Sequence, residues 1–307
     1  MSPARAVVFA YHDVGVRCLK TLLSAGVEIP LVVTVPDDPQ ETHWYASVAA
    51  TAADYGLRAV APVEPNTPEL ARTLHELQPD FVFSFYYRCM LGAPLLRAAR
   101  RGALNVHGSL LPKYRGRAPV NWAILRGERE TGATLHYMVE RADAGDIVDA
   151  QAVPILLDDD ARAVSGKVTV AAEMVLARSL PALIAGTAPR RPQPPGGEYF
   201  GRRQPQDGRI DWSRPALAIH NLVRAVAPPF PGAFAQVGGQ RWEIHRTRLA
   251  SRPAPPGGPQ LFGSGGRCYI ACSDGAVLQL LAAADARGPL DTAALAVQLA
   301  ERPLPLG

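Results

Sequence analysis

Apolar residues in the first half of this chain come in short unbroken runs. Arg5 to Tyr11 (RAVVFAY), Leu31 to Val35, Phe81 to Ser84, Gly102 to His107, Ala133 to Met138 and Ile147 to Val153 each read as a short, buried strand. Between the early runs, apolar spacing predicts helices over about Val14 to Ala25, Trp44 to Tyr55 and Thr67 to Leu77. Short strands alternating with helices define an α/β fold: a Rossmann-like, doubly wound, mainly parallel sheet. Ligands of such sheets lie beyond the carboxyl ends of the strands. Only Gly15 follows the first run, with no Gly-x-Gly-x-x-Gly, which argues against a dinucleotide site.

The pattern changes after Gly186. GTAPRRPQPPGGEYFGRRQP is rich in Pro, Gly and Arg and reads as a boundary. Beyond it, Arg214 to Val226 has helical spacing. Trp242 to His245, Arg267 to Cys272 and Ala276 to Leu281 then read as short strands broken by turn residues, suited to a small β-barrel. The expected organisation is an α/β domain over 1–188, a linker over 189–206 and a small β-barrel domain over 207–307.

Composition narrows the picture. No apolar run reaches the ~18 residues that span a bilayer, and Met1 to Arg5 leads straight into a strand pattern, so the expectation is a cytoplasmic protein with no membrane partner. Four cysteines make no disulfide framework, and Cys268 and Cys272 lie in a strand-like run as buried thiols. His12, His43, His75, His136, His220 and His245 lack metal-ligand spacing, so no metal is expected. Residues 1–190 carry 19 Lys and Arg against 20 Asp and Glu, whereas the rest carry 13 against 8. A basic C-terminal part suits an anionic partner, but only Lys20, Lys113 and Lys167 are lysines, and a general preference for arginine accounts for much of the charge.

The candidate chemistry sits at the end of the fourth run, in Asn105-Val106-His107-Gly108-Ser109-Leu110-Leu111-Pro112. In a strand, Asn105 and His107 project to one face, an oxyanion donor beside a general acid/base. The turn-rich loop that follows carries Arg115 and Arg117, suited to an anionic ligand. Asp143, 36 positions past His107, is placed to orient the imidazole and raise its pKa towards neutrality, with Asp146 as a competitor. His136 alternates with Thr134 and Met138 and reads as structural.

Asn-x-His-Gly-Ser-Leu-Leu-Pro-x-x-Arg-Gly with a later Asp-x-Gly-Asp resembles the folate-dependent formyltransferases. Val8 to Asp13, Ser84 to Arg88, Leu110 to Pro119, Arg141 to Gly145 and Phe200 to Arg203 are most similar to one branch, the formyltransferase halves of bifunctional polymyxin-resistance proteins. The resemblance runs from about residue 5 to about residue 280, and it implies that 1–188 is the catalytic domain and that the C-terminal barrel over 207–307 is OB-like. It implies transfer of a formyl group from 10-formyltetrahydrofolate to the amine of UDP-4-amino-4-deoxy-L-arabinose in lipid A modification. It further implies Asn105, His107 and Asp143 as the catalytic set, and it assigns Cys89, Met90, Leu91, Arg117 and Val139, Glu140, Arg141, Ala142 and Asp143 to the folate. Cys89-Met90 departs from the His-Leu pair usual there, an exchange that backbone contacts would survive. Tyr86, Tyr87 and Arg88, after a buried strand, suit uracil stacking and pyrophosphate contact, with Arg115 as a further acceptor residue. Arg115 and Arg117 are equally basic neighbours, and the sequence does not separate their roles.

Two relatives share the catalytic set. Methionyl-tRNA formyltransferases carry a longer basic loop after the second strand, whereas Pro36 to His43 is short and bears Asp37, Asp38 and Glu41, which disfavours a nucleic-acid partner. Formyltetrahydrofolate hydrolases carry a regulatory domain ahead of the catalytic one, for which Arg5 leaves no room. The expected partner is a small nucleotide sugar, and a homo-oligomer is left open. Because the bifunctional relatives continue into a decarboxylase, that activity is expected on a separate chain, or this chain is a piece of a longer one.

Overall fold

The computed structural model describes residues 3–36 and 43–306, so Asp37, Asp38 and Glu41 lie outside the described residues. The chain forms two units: Met1–Pro119 with Glu130–Pro154 and Gly166–Gly201, and Val120–Arg129 with Ile155–Ser165 and Arg202–Gly307.

In the first unit, β1 (Arg5–Ala10) leads into α1 (His12–Ser24), followed by β2 (Glu28–Val33), α2 (Val48–Asp54), β3 (Ala59–Val60), α3 (Pro68–Leu77), β4 (Phe81–Phe85), α4 (Ala93–Arg97) and β5 (Gly102–His107). A two-residue β6 (Arg115–Gly116), β7 (Glu130–Tyr137), β8 (Ile147–Pro154) and β9 (Tyr199–Phe200) complete it. Among the described residues the main sheet has the order β3-β2-β1-β4-β5-β7-β8. Its first five strands are parallel, and β7 and β8 are antiparallel additions beside β5. The chain therefore builds outward from β1 on one side and returns to build from β4 on the other. The β1/β4 boundary is the topological switch point where such sheets bind ligands.

The parallel strands are continuous apolar runs because both faces are covered. Phe9, Leu31, Val33, Leu74, Val82 and Leu95 interlock on one face of the sheet. The second helix starts later than its apolar spacing suggests. Ser47 accepts the Ala50 N–H at 3.3 Å and caps the helix at Val48, so Trp44 and Tyr45 precede it.

The second unit includes α5 (Pro119–Leu125) from Val120 onward and the first residues of α6 (Ala161–Ala185), whose remaining turns belong to the first unit. The 25-residue α6 corrects the expectation that no segment could span a bilayer: by length and hydropathy it is long and apolar enough. Its Val164, Val168, Ala172, Val175 and Leu183 are buried at helical spacing, the pattern of a core helix. Next come α7 (Ala216–Ala225), β10 (Ala233–Val237), β11 (Gln240–Ala250), β12 (Gln260–Ser264), β13 (Arg267–Ala271), β14 (Val277–Asp285), β15 (Gly288–Pro289), α8 (Thr292–Glu301) and β16 (Leu304–Pro305). The strands pair antiparallel in the order β10-β11-β14-β13-β12-β16 and curl into a half-barrel. Register shifts around Arg246 bend the long β11 where the sheet curls. Cys268 and Cys272 are free, buried thiols here, each pushed up to about 12 by burial.

Candidate active site

The active-site candidates collect at the carboxyl end of β5. Asn105 and His107 share a face of that strand, and the antiparallel register sets Asn105 opposite His136 and His107 opposite Thr134 on β7. Cross-strand partners on one face touch. Asn105 Nδ2 accordingly donates to His136 Nε2 at 3.0 Å, which leaves the amide its second N–H, while His136 Nδ1 donates to the Tyr137 carbonyl at 2.9 Å. Thr134 secures the turn after the strand: its hydroxyl donates to the Ser109 carbonyl at 2.6 Å and accepts the Leu111 N–H at 3.1 Å.

Asp143 reaches the same cluster from the loop after β7. Its Oδ1 lies 3.4 Å from His107 Nδ1 and 3.6 Å from His136 Nε2, and its Oδ2 accepts the Gly116 N–H at 2.8 Å. Asp143 holds a left-handed φ of 51°, a strained conformation for a residue with a side chain, so neighbours must hold it there. Gly145 lets the loop close, because a Cβ there would lie 2.0 Å from the Tyr137 carbonyl oxygen.

Arg115 and Gln193 grip this loop. Arg115 Nε donates to the Asp143 carbonyl at 3.1 Å, Nη1 to the Gly196 carbonyl at 3.1 Å and Nη2 to Gln193 Oε1 at 2.6 Å. Gln193 Nε2 donates to the carbonyls of Asp143 and Gly145. The two arginines that were equivalent in sequence are therefore distinct in structure. Arg115 is buried and braces the loop that carries Asp143, while Arg117 stays exposed.

Electrostatics follow from burial. Burial alone would raise the Asp143 carboxyl, but the imidazoles of His107 and His136 and the Gly116 N–H hold it at about 2. His107 moves opposite to expectation. Burial drives its pKa below the ordinary histidine value, Asp143 and the Tyr114 carbonyl counteract only part of this, and His136 pushes it lower still. His107 is therefore neutral near pH 7, with Nε2 donating to the Tyr114 carbonyl at 2.8 Å. In that tautomer Nδ1 is the unprotonated nitrogen, 3.4 Å from Asp143, and a proton taken up there would pair with the carboxylate.

The residues expected to hold a folate lie on two segments, 89–91 and 139–143, and at Arg117. Met90 is exposed and Leu91 is buried in the core; Asn66 brackets them, donating to the Met90 carbonyl at 2.9 Å and accepting the Gly92 N–H at 2.6 Å. Cys89 is partly buried. Val139, Glu140 and Arg141 are exposed on the loop that ends in Ala142 and Asp143, and Tyr199 donates to the Ala142 carbonyl at 2.8 Å. Of the expected acceptor residues, Tyr86 lies beside Gly108, where a Cβ would fall 1.9 Å from the phenol oxygen. Arg88 is exposed, its guanidinium 4.4 Å from the Tyr11 ring centroid. Tyr87 is different: it packs edge-on against Phe9 at 5.3 Å, half-buried against the core.

Sequence reasoning missed Asn66, Thr134 and Gln193, and it undervalued His136. The alternation of Thr134 and His136 with Met138 was the available signal for two of them. Nothing local marks Asn66 or Gln193.

Residues 7–180 match the formyl transferase family and residues 202–296 match the formyl transferase C-terminal domain. The chain belongs to the formyl transferase family and is an enzyme that transfers a formyl group. Among solved structures it is similar to the N-formyltransferase from Helicobacter canadensis in complex with folinic acid and dTDP-3-aminofucose (20% identity, 91% of this chain and 99% of that one, TM-score 0.71). It is also similar to WlaRD, a sugar 3N-formyl transferase in the presence of dTDP and 5-N-formyl-THF (20%, 95% and 99%, TM-score 0.72). A sugar N-formyltransferase from Shewanella sp. FDAARGOS_354 aligns at 18% identity over 82% of this chain and 99% of that one, with a TM-score of 0.63.

Proposed function

We propose that this enzyme moves the formyl group of 10-formyltetrahydrofolate onto the primary amine of a nucleotide-linked amino sugar, and that its acceptor is UDP-4-amino-4-deoxy-L-arabinose, an activity of lipid A modification and polymyxin resistance. The observation that carries the reading is the Asn105–His107–Asp143 cluster at the end of β5. The amide and the neutral imidazole suit formyl transfer, and the exposed residues Met90 and Val139 suit contact with a flat donor ring system. Resemblance over Ser84 to Arg88 favours the arabinose derivative. The nucleotide-linked ligands of the Helicobacter canadensis and WlaRD structures favour the wider acceptor class.

In this reading the acceptor nitrogen forms a bond to the formyl carbon and the bond from that carbon to the folate nitrogen breaks. The free N–H of Asn105 supports the negative charge that builds on the formyl oxygen. His107 takes the proton released by the attacking amine and returns it to the departing folate nitrogen, with Asp143 steadying the transient imidazolium. Asn105, His107 and Asp143 are the catalytic residues. Arg117, Cys89 to Leu91 and Val139 to Asp143 face the donor, and Tyr86 and Arg88 face the acceptor. The domain limits proposed from sequence, 1–188 and 207–307, and a decarboxylase on a separate chain belong to the same reading.

The test is a screen of amino-sugar nucleotides with 10-formyltetrahydrofolate, read by mass for the gain of one formyl group. Formylation of UDP-4-amino-4-deoxy-L-arabinose supports the acceptor named. Formylation of charged initiator tRNA instead, or release of formate without any acceptor, replaces it with one of the two rival activities.

A further inference from the structure

The carboxyl ends of β1 and β4 flank the switch point of the sheet, and both end on a strained aromatic residue. His12 (φ 66°) and Tyr86 (φ 57°) adopt left-handed backbone, and their rings face each other at 6.1 Å between centroids. Strain of this kind persists where surrounding structure enforces it, and it concentrates at ligand sites. Around this pair the chain gathers further rings. His12 lies 4.1 Å from Tyr45 at a shallow angle and 4.7 Å edge-on from Trp44. Tyr11 joins Tyr45 through a hydroxyl pair at 2.6 Å. Asp13 accepts the Ala46 N–H at 2.8 Å, which ties the segment ahead of α2 to the start of α1.

Tyr11 is buried, but the other rings are not filling the core. His12, Trp44, Tyr45 and Tyr86 all keep solvent-accessible surface. Beside them is a cavity of about 170 Å³ at the end of β2, walled by Tyr11, Tyr45, Val35 and Val48, with the hydroxyl residues Thr34 and Ser47 at its edge. That volume is below the ~300 Å³ of a drug-sized site and suits a single flat ring with polar edges. Arg88, exposed above Tyr11, adds a cation on one of the rings that wall the cavity. Tyr86, facing His12, reaches Gly108, the residue after His107. Tyr11 thus links the cavity to a cation, and Tyr86 links the ring cluster to the end of β5, which suits the base, the phosphates and the reacting amine of a nucleoside diphosphate sugar.

We propose that Tyr11, Trp44, Tyr45 and the His12 ring form the seat of the pyrimidine base of the acceptor, with Arg88 on its diphosphate and Tyr86 guiding the sugar towards His107. The proposal rests on the acceptor class above and gives the base a site away from Tyr87. The experiment titrates UDP and dTDP, without sugar, into the full chain by calorimetry and tryptophan fluorescence. The chain has four tryptophans, so Trp44→Phe should abolish a nucleotide-dependent signal while leaving most of the emission. Tyr45→Ala should weaken UDP binding and raise the acceptor KM by on the order of tenfold, the scale of one base-stacking contact, with the donor KM unchanged. Tyr45→Phe, which keeps the ring, should stay near wild type, and the unchanged donor KM reports that the fold survives. ADP should bind more weakly than UDP; equal binding overturns the pyrimidine assignment. Unchanged UDP affinity in both Tyr45→Ala and Trp44→Phe overturns the site, even if UDP-linked amino sugars are formylated. Weakened UDP binding in an enzyme that formylates no nucleotide sugar upholds the site and removes the acceptor reading.

Discussion

Two buried histidines in this protein have much the same burial and partners, yet the proposed catalysis draws on only one of them. His107 has a carboxylate at 3.4 Å and donates to a backbone carbonyl at 2.8 Å. His220, on α7 in the second unit, has the Asp158 carboxylate at 3.7 Å and the Leu157 carbonyl at 2.9 Å. Burial drives both below the ordinary histidine pKa. The difference lies in what else is present. The other nitrogen of His220 meets the Thr247 hydroxyl at 2.9 Å, and beside it Arg224 donates to the Leu156 and Asp159 carbonyls and to Asn221. That is a polar knot tying a helix to a loop and a strand. His107 sits at the carboxyl end of a parallel strand, beside an amide with a spare N–H and a carboxylate kept in a strained conformation. A buried histidine with a carboxylate is common structural equipment; the amide, the strained aspartate and the strand end make a site.

The sharpest way to break this contrast is to remove each cluster. His107→Ala, Asn105→Ala or Asp143→Ala should lower turnover by roughly 10²–10⁴ with little change in thermal stability. The double variant His107→Ala/Asn105→Ala should fall far short of the product of the single losses, because the pair acts as a unit. Steady-state kinetics beside thermal melts decides it; near-wild-type turnover in His107→Ala would refute the mechanism. His220→Ala should show the converse, a loss of about 1–3 kcal/mol in unfolding free energy with kcat retained, because its partners are left buried without a hydrogen bond.

Acid should sharpen the contrast further. A histidine whose pKa is lowered in the fold takes up a proton more readily when unfolded, so its contribution to stability is present above the unfolded value and is lost as pH falls. Denaturation midpoints should drop below about pH 6.5, with less of a drop in His220→Ala. Over the same range kcat/KM should fall as His107 is protonated, while Asp143, ionised down to about 2, adds no limb of its own. His136→Asn should shift the limb towards higher pH, because His136 pushes His107 lower. The smallest effect expected is on the arginines. Arg117→Ala should raise only the donor KM, by about tenfold or less, whereas Arg115→Ala should lower kcat by loosening the Asp143 loop.

The strand that carries Asn105 and His107 was fully legible: Gly102 to His107 is mostly apolar, and its two polar residues fall on one face by simple alternation. The α/β class followed from the same kind of run repeated. Helix α6 was not legible, because small and branched apolar residues surround it on most sides and no polar stripe marks a face. The start of α2 was misplaced because Trp44 and Tyr45 sit at helical spacing, and the cap at Ser47 outweighed it. The expected rise in the His107 pKa failed for a similar reason. Sequence spacing identifies a carboxylate partner, but it does not reveal how much water the fold removes or that His136 stands alongside.

The grip of Gln193 and Arg115 on the Asp143 loop has a consequence for how the enzyme comes into being on the ribosome. Asn105, His107 and Asp143 are all synthesised fifty residues or more before Gln193, and Phe200, whose carbonyl accepts the Arg117 N–H, emerges later still. A nascent chain that already carries Asn105, His107 and Asp143 therefore lacks the Gln193 brace on the Asp143 and Gly145 carbonyls until the Pro- and Gly-rich segment has left the exit tunnel. The stretch that resembles a spacer in composition is the last component of the candidate site to be delivered.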